Sequence, residues 1–287
     1  MQESLEQQLS KEKQKNMLCA GLSREIYQAL SAIRSSSGLL EQEVQLAVPS
    51  VYQKLGWMFE NINQSTLRLS RVAENLQDMI EAERGVLRFN SEPLDLVWQY
   101  TQMLNMLACG AVPFEVQIAW KCGLKENEIY VWGNSDWADK ILLNLVSNEM
   151  LCSQAGQRVT VSLEKAGQEL CLKVIDQGPD LPAWVCEHMF EAFVNCYETD
   201  GTAKGAGLGL YLANTYCKVM GWNLVINSDE KGTVATVHIP LNIPNMVNDS
   251  EEYSVLKSTA AALETNLQKQ RVMAELSVLR TQKEQIE

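Results

Sequence analysis

The chain has only two histidines in 287 residues, His188 and His238, and both lie far from its N-terminus. Any chemistry that needs an imidazole is confined to those two positions. Its eight cysteines include no paired C-x-x-C spacing. Most sit in apolar contexts, such as Cys19, Cys109, Cys171 and Cys217, which reads as small buried hydrophobes in a reducing compartment rather than a disulfide framework or a zinc-binding set. No apolar run approaches the ~20 residues that a membrane helix requires. The N-terminal stretch MQESLEQQLSKEKQKN is charged and polar, unlike a signal peptide. Positive charge is in deficit: 24 Lys and Arg stand against 36 Asp and Glu, a formal net charge of -12. That balance argues against a nucleic-acid backbone as the main partner. The chain as given is expected to be soluble and cytoplasmic, with no membrane segment, and could still be a piece of something longer.

What is present is enough chain for about two domains with sizeable cores, and 46% of it is hydrophobic. Residues 3 to about 46 read as one long helix, with Leu5, Leu9, Leu18, Leu22, Ile26, Leu30, Ile33 and Leu40 at largely three- and four-residue spacing. Val48-Pro49-Ser50 breaks it. A second helix runs from Val51 to about Ala82, with Leu55, Met58, Ile62, Leu67, Leu69, Val72, Leu76 and Met79 apolar. Gly85 is a natural left-handed cap at its end. Such a hairpin cannot bury its stripe alone, and pairing with a second copy would make a four-helix bundle.

Beyond Gly85 the pattern changes to short alternating or β-branched runs. Strands are expected at residues 86–89, 115–121, 129–132, 158–164, 169–176, 224–228 and 233–240. Helices are expected at 95–109, 136–150 and 207–220, giving a sheet covered by helices. Pro240 and Pro244 mark a boundary. Residues 250–287 read as a final polar helix with Leu256, Leu263, Leu267, Leu276 and Leu279 on imperfect heptads, a connector or docking helix.

Several segments carry a specific signal in combination. Residues 17–40 read MLCAGLSREIYQALSAIRSSSGLL, 141–152 read ILLNLVSNEMLC, 176–182 read DQGPDLP, 188–193 read HMFEAF and 205–214 read GAGLGLYLAN. In this order the chain resembles the sensor histidine kinase family: a dimerisation and phosphoacceptor helix, then the asparagine box, first glycine box, phenylalanine box and second glycine box. The resemblance covers about residues 15–243. It implies an α+β chain: a helical hairpin at 1–84 that dimerises as a four-helix bundle, an α/β sandwich ATP-binding domain of the histidine-kinase type at 85–243, and a C-terminal helical connector at 244–287.

The resemblance also assigns roles. Asp176, before Gly178, would meet the adenine amino group, and Asn148 would hold magnesium one turn after Asn144. Lys204, Gly205, Gly207, Leu208 and Gly209 would form the phosphate-facing turn and helix start, where backbone N–H groups and a positive dipole end favour an anion. The departures are as informative. Asp180 replaces the second glycine of the first glycine box. Glu149, Met150 and Leu151 replace an Ala-x-Lys, removing a phosphate-binding lysine. The expected cofactor is therefore ATP or ADP with magnesium at a weakened phosphate site.

The largest departure is at the phosphoacceptor. Arg24 stands where the family carries its phosphorylated histidine, and a guanidinium has no lone pair for attack on phosphorus. Glu25 matches the family's general base, left with nothing to activate. Gln28, four residues on, matches a position where the family's polar residue orients a water for removing phosphate from a partner. The resemblance thus implies a pseudo-histidine-kinase that cannot autophosphorylate at the usual place. It would act as a dimeric scaffold or conformational regulator of a two-component pathway, a homodimer through residues 17–82 that binds a response regulator or another histidine kinase. The alternatives are a response-regulator phosphatase using Gln28, or a kinase for a non-histidine acceptor.

Overall fold

The computed structural model describes residues 2–124, 130–194, 207–241 and 268–280, with side chains from residue 21 onward. The chain divides into two compact units, Met1–Leu87 and Arg88–Glu287.

The first unit is a helical hairpin of α1 (Gln2–Ala47) and α2 (Pro49–Glu83). The break falls at Val48, whose φ of -142° is not helical. Pro49 does not terminate anything; it opens α2 at a position where its missing N–H costs no hydrogen bond. Gly85 closes α2 with φ +64°, as expected of a left-handed cap. Leu30, Phe59, Leu67, Met79 and Ile80 are buried within the unit, while Leu22, Ile26, Ile33, Leu40, Met58, Ile62 and Leu69 remain exposed. Part of the apolar stripe read along α1 therefore points away from α2.

The second unit is an α/β sandwich. Its sheet has the order β2-β4-β5-β7-β6, formed by β2 (Gln117–Cys122), β4 (Arg158–Ala166), β5 (Glu169–Ile175), β7 (Gly232–Pro240) and β6 (Asn223–Asp229). Only the β2–β4 pair is parallel. Alternate residues Val159, Val161 and Leu163 on β4, Leu170, Leu172 and Val174 on β5, and Ala235, Val237 and Ile239 on β7 are wholly buried. This is the period-two signature of a sheet with a face turned to the core. Against the sheet lie α3 (Leu96–Gly110), α4 (Ser135–Cys152) and α6 (Gly209–Met220). Asp95 caps α3 by accepting from Trp98 N–H at 3.0 Å, and Asn134 caps α4 by accepting from Trp137 N–H at 3.0 Å. Gly221, with φ +73°, ends α6.

The strand expected at 86–89 is corrected. Those residues form no strand. Val86 N–H is used to close α2, donating to Glu81 O. The strand there is β1 (Glu92–Asp95), paired antiparallel with β3 (Tyr130–Gly133) as a separate two-stranded ribbon. Such a ribbon has edges that tolerate Pro93. The short α5 (Ala183–His188) was not expected.

Residues 268–280 are helical (α7) and pack on the second unit. Val272 and Leu279 are buried, and Leu276 lies so close to Gly110 of α3 that a Cβ there would stand 2.1 Å from its Cδ1. Asp139 of α4, fully buried, collects Gln99 Nε2 at 2.7 Å, Gln268 Nε2 at 3.1 Å and Arg271 Nη1 at 2.7 Å. Arg271 also pairs with Asp136. A buried carboxylate is tolerated only when charge and hydrogen bonds compensate its lost hydration. The rest of the expected 250–287 helix, including Leu256, Leu263 and Leu267, lies outside the described residues.

Candidate nucleotide site

The site is built where β5 ends. Asp176 follows the buried run of β5 and is itself 2% exposed. Its Oδ1 accepts the Thr233 N–H at 2.6 Å from the start of β7, and its own N–H donates to Thr233 O at 3.1 Å. These two bonds fix the carboxylate. They leave Oδ2 buried and making no hydrogen bond of ordinary length among the described residues. Gly178 is buried next to it, and a Cβ there would stand 2.7 Å from Oδ2. Gly232 has a parallel role on the other side: with φ +129°, it brings its backbone where a Cβ would be 2.4 Å from Asp176 O.

The last turns of α4 face Asp176. Glu149 is 5% exposed. Burial, then repulsion from Asp176, then a hydrogen bond to Asp176 push its carboxyl well above the usual carboxylate range. The side chain lies at the Asp176 end of the pocket, where burial disfavours its charged form. Among the described residues this carboxyl, when protonated, is a group that can share its proton with Asp176. Cys152, half-buried and one turn further along α4, completes a cluster. One ligand atom each of Glu149, Cys152 and Asp176 lie within 4.8 Å of one another.

Other expected site residues fall as follows. Asn148 is half-buried on α4. Asn144 is 5% exposed, and its Oδ1 would be 3.1 Å from a Cβ on Gly209, the first residue of α6. Its amide thus packs where α4 meets the start of α6. Gly207 has φ +63°, and a Cβ would stand 2.6 Å from the Phe193 carbonyl carbon. Phe193 N–H donates to Gly207 O at 2.9 Å, so Phe193 and Gly207 pin together the two ends of the intervening segment. Phe193 itself adopts φ +67°, a conformation few side chains accept. Leu208 is buried just before α6, and Asp180 is exposed. Lys204 and Gly205 lie outside the described residues. On α1, in the other unit, Arg24, Glu25 and Gln28 are all exposed.

Sequence reasoning did not bring Glu149 to Asp176, nor see Cys152 beside them. A signal existed: Glu149 falls on the same apolar helix face as Ile141, Leu142, Leu145 and Val146, where a carboxylate is out of place.

With this geometry in hand, comparison with known proteins gives a consistent answer. Residues 133–243 match the family model described as histidine kinase-, DNA gyrase B- and HSP90-like ATPase. The chain is 26% identical over 231 residues to the signal transduction histidine-protein kinase AfsQ2 of Streptomyces coelicolor, covering 77% of this chain and 41% of AfsQ2. Residues 133–243 thus carry a histidine kinase-like ATPase domain, and over most of its length the chain is similar to sensor histidine kinases. Its fold agrees with two solved members. Full-length ShkA in complex with AMPPNP superposes with a TM-score of 0.57 at 19% identity, covering 78% of this chain and 45% of ShkA. The Acinetobacter baumannii histidine kinase AdeS superposes with a TM-score of 0.50 at 19% identity, covering 69% and 98%. The chain spans less than half the length of the curated relatives it matches. Among its described residues, no helix is long and apolar enough to cross a membrane.

Proposed function

We propose that the chain is a pseudo-histidine-kinase: a dimeric scaffold or conformational regulator of a two-component pathway, silent as an autokinase. The observation that carries this reading is Arg24, exposed on α1 at the position of the family's phosphoacceptor. An always-protonated guanidinium offers neither nucleophile nor leaving proton for phosphoryl transfer. In this reading residues 1–84 dimerise, residues 85–243 form the ATP-binding domain and residues 244–287 connect or dock. The apolar side chains left exposed on both hairpin helices, Ile33, Leu40 and Ile62 among them, support a homodimer through residues 17–82. Partners are a response regulator or a second histidine kinase, met in the cytoplasm.

The base end of the pocket fits an adenine nucleotide. Asp176 Oδ2 is a buried acceptor in want of a donor, and an adenine amino group is such a donor. Gly178 keeps the approach open. Glu149 competes for the same oxygen, so the nucleotide must displace its carboxyl. Asn148 would hold magnesium, and Asn144, Gly207, Leu208 and Gly209 shape the turn into α6, with Lys204 and Gly205 preceding it. When bound, magnesium would neutralise phosphate charge. With Leu151 in place of a lysine, binding is led by the base, and ADP binds about as well as ATP.

Incubation with labelled ATP and magnesium tests the reading. No acid-labile label is expected on the purified chain. An acid-labile, alkali-stable label would mean that one of its two histidines is phosphorylated and that the reading is wrong. A second reading, a response-regulator phosphatase, is favoured by the exposure of Gln28 one turn beyond Arg24. An amide there can position a water without any histidine. A phosphorylated response regulator whose half-life is shortened by the wild-type chain and not by Gln28→Ala would establish it.

A further inference from the structure

We propose that Glu149, Cys152 and Asp176 form a site for one thiophilic divalent cation of the zinc class. A carboxylate oxygen from each acid and Cys152 Sγ lie within 4.8 Å of one another. Donors bound at ~2.0–2.3 Å around a tetrahedral zinc ion stand roughly 3.5 Å apart. Closing that difference requires the three side chains to draw together around the ion. Glu149 and Cys152 are three residues apart on one face of the last turn of α4. Asp176 is anchored opposite by the Thr233 N–H on Oδ1.

A second, independent observation points to a ligand. Asp176 is 2% exposed, and Oδ2 makes no hydrogen bond of ordinary length among the described residues, the Glu149 carboxyl being the neighbour with which it could share a proton. A buried carboxylate oxygen without a donor asks for a proton or a cation. The front of the cluster is open by virtue of Gly178: a Cβ there would be 2.7 Å from Asp176 Oδ2 and 3.4 Å from Cys152 Cβ. Cys152 is half-buried, so one side of the cluster reaches solvent and offers an entry path.

The donor set selects the metal. Magnesium and calcium take oxygen ligands, whereas a thiolate beside two carboxylates suits zinc. Three protein ligands leave the fourth position to water. On binding, the Cys152 thiol and the Glu149 carboxyl give their protons to solvent, and two Zn–O bonds and one Zn–S bond form with no change of oxidation state. The expectation that none of the cysteines serves zinc would then fail at Cys152 alone. A consequence, resting on the adenine reading, is that zinc and ADP compete, since Asp176 Oδ2 cannot serve both.

The test uses the full chain, reduced and stripped of metal, titrated with cobalt(II) as a spectroscopic probe and with zinc by calorimetry. One equivalent is expected, with a thiolate-to-cobalt charge-transfer band that zinc abolishes. Cys152→Ser should lose the band, and Glu149→Ala should weaken zinc at least ~10-fold. Cys186→Ser, altering an exposed cysteine on α5, should change neither. No band, or a band that survives Cys152→Ser, overturns the proposal and leaves a shared proton as the occupant. If Glu149→Ala fails to fold by circular dichroism, Cys152→Ser decides alone. ADP affinity is then measured with and without zinc. A loss of ~10-fold or more with zinc is expected. Unchanged ADP affinity beside a cobalt band overturns the assignment of Asp176 to the metal. ADP that fails to bind in either condition refutes the adenine reading, while the cobalt band still supports the metal site.

Discussion

The two units of this chain differ in where their residues depart from the histidine-kinase motifs they resemble: on the surface of the hairpin, and inside the second unit. In the hairpin the altered residue, Arg24, is on the surface. Leu30, Phe59, Leu67 and Ile80 of the same hairpin are by contrast buried. In the second unit the altered residue, Glu149, is inside, pressed against Asp176 at the one place where a ligand is expected. In the proposed reading, a surface change removes a reaction and leaves the fold alone. A buried change must be compensated by something: a proton, a cation or a neighbouring donor. The comparison teaches that, under the proposed reading, chemistry and architecture are separable here, since position 24 is exposed while position 149 is buried.

The strongest way to break the comparison is to show that the hairpin depends on its surface after all. Ile33 is 50% exposed and Ile62 40% in the single chain. The double variant Ile33→Asp, Ile62→Asp is expected to convert the dimer wholly to monomer by light scattering, with helicity retained. A wild-type chain already monomeric at micromolar concentration would contradict the dimer. Next in size is Arg271→Ala in the second unit. It removes a short charge-assisted bond from the fully buried Asp139, which costs ~3 kcal/mol by the usual penalty for breaking a buried ion pair. Urea denaturation should show that loss. A change below ~1 kcal/mol would be the behaviour of a surface ion pair and would mean that α7 is only loosely docked.

Much of this architecture was legible because local patterns decided it. The sheet strands announced themselves by alternation, and α2 by its periodicity and the glycine at its end. The strand at 86–89 was misread because Val86, Leu87 and Phe89 mimic alternation. The true strand, Glu92–Asp95, is short and carries Pro93, so nothing in its composition marks it. The Asp139–Arg271 pair spans 132 positions, and no periodicity connects residues so far apart. Glu149 illustrates the same limit at the site. Its place on the buried helix face could be read, but its meeting with Asp176 depends on how α4 lies against the end of β5. Lone acids on apolar helix faces are the signal to look for, since each demands a partner that the sequence does not name.

The measurement that tests the central claim most directly is Arg24→His incubated with labelled ATP and magnesium. If the exposed Arg24 alone silenced the chain, one substitution would restore it, because Glu25 already stands beside position 24 as a base. The account predicts no acid-labile label. In the proposed reading Leu151 stands for the phosphate lysine and Asp180 for the second loop glycine, and Glu149 lies against Asp176; parts that act together are not recovered by repairing one. A robust acid-labile label on Arg24→His would contradict it. That result would mean that the second unit is still a working kinase domain and that only the surface of the hairpin had changed.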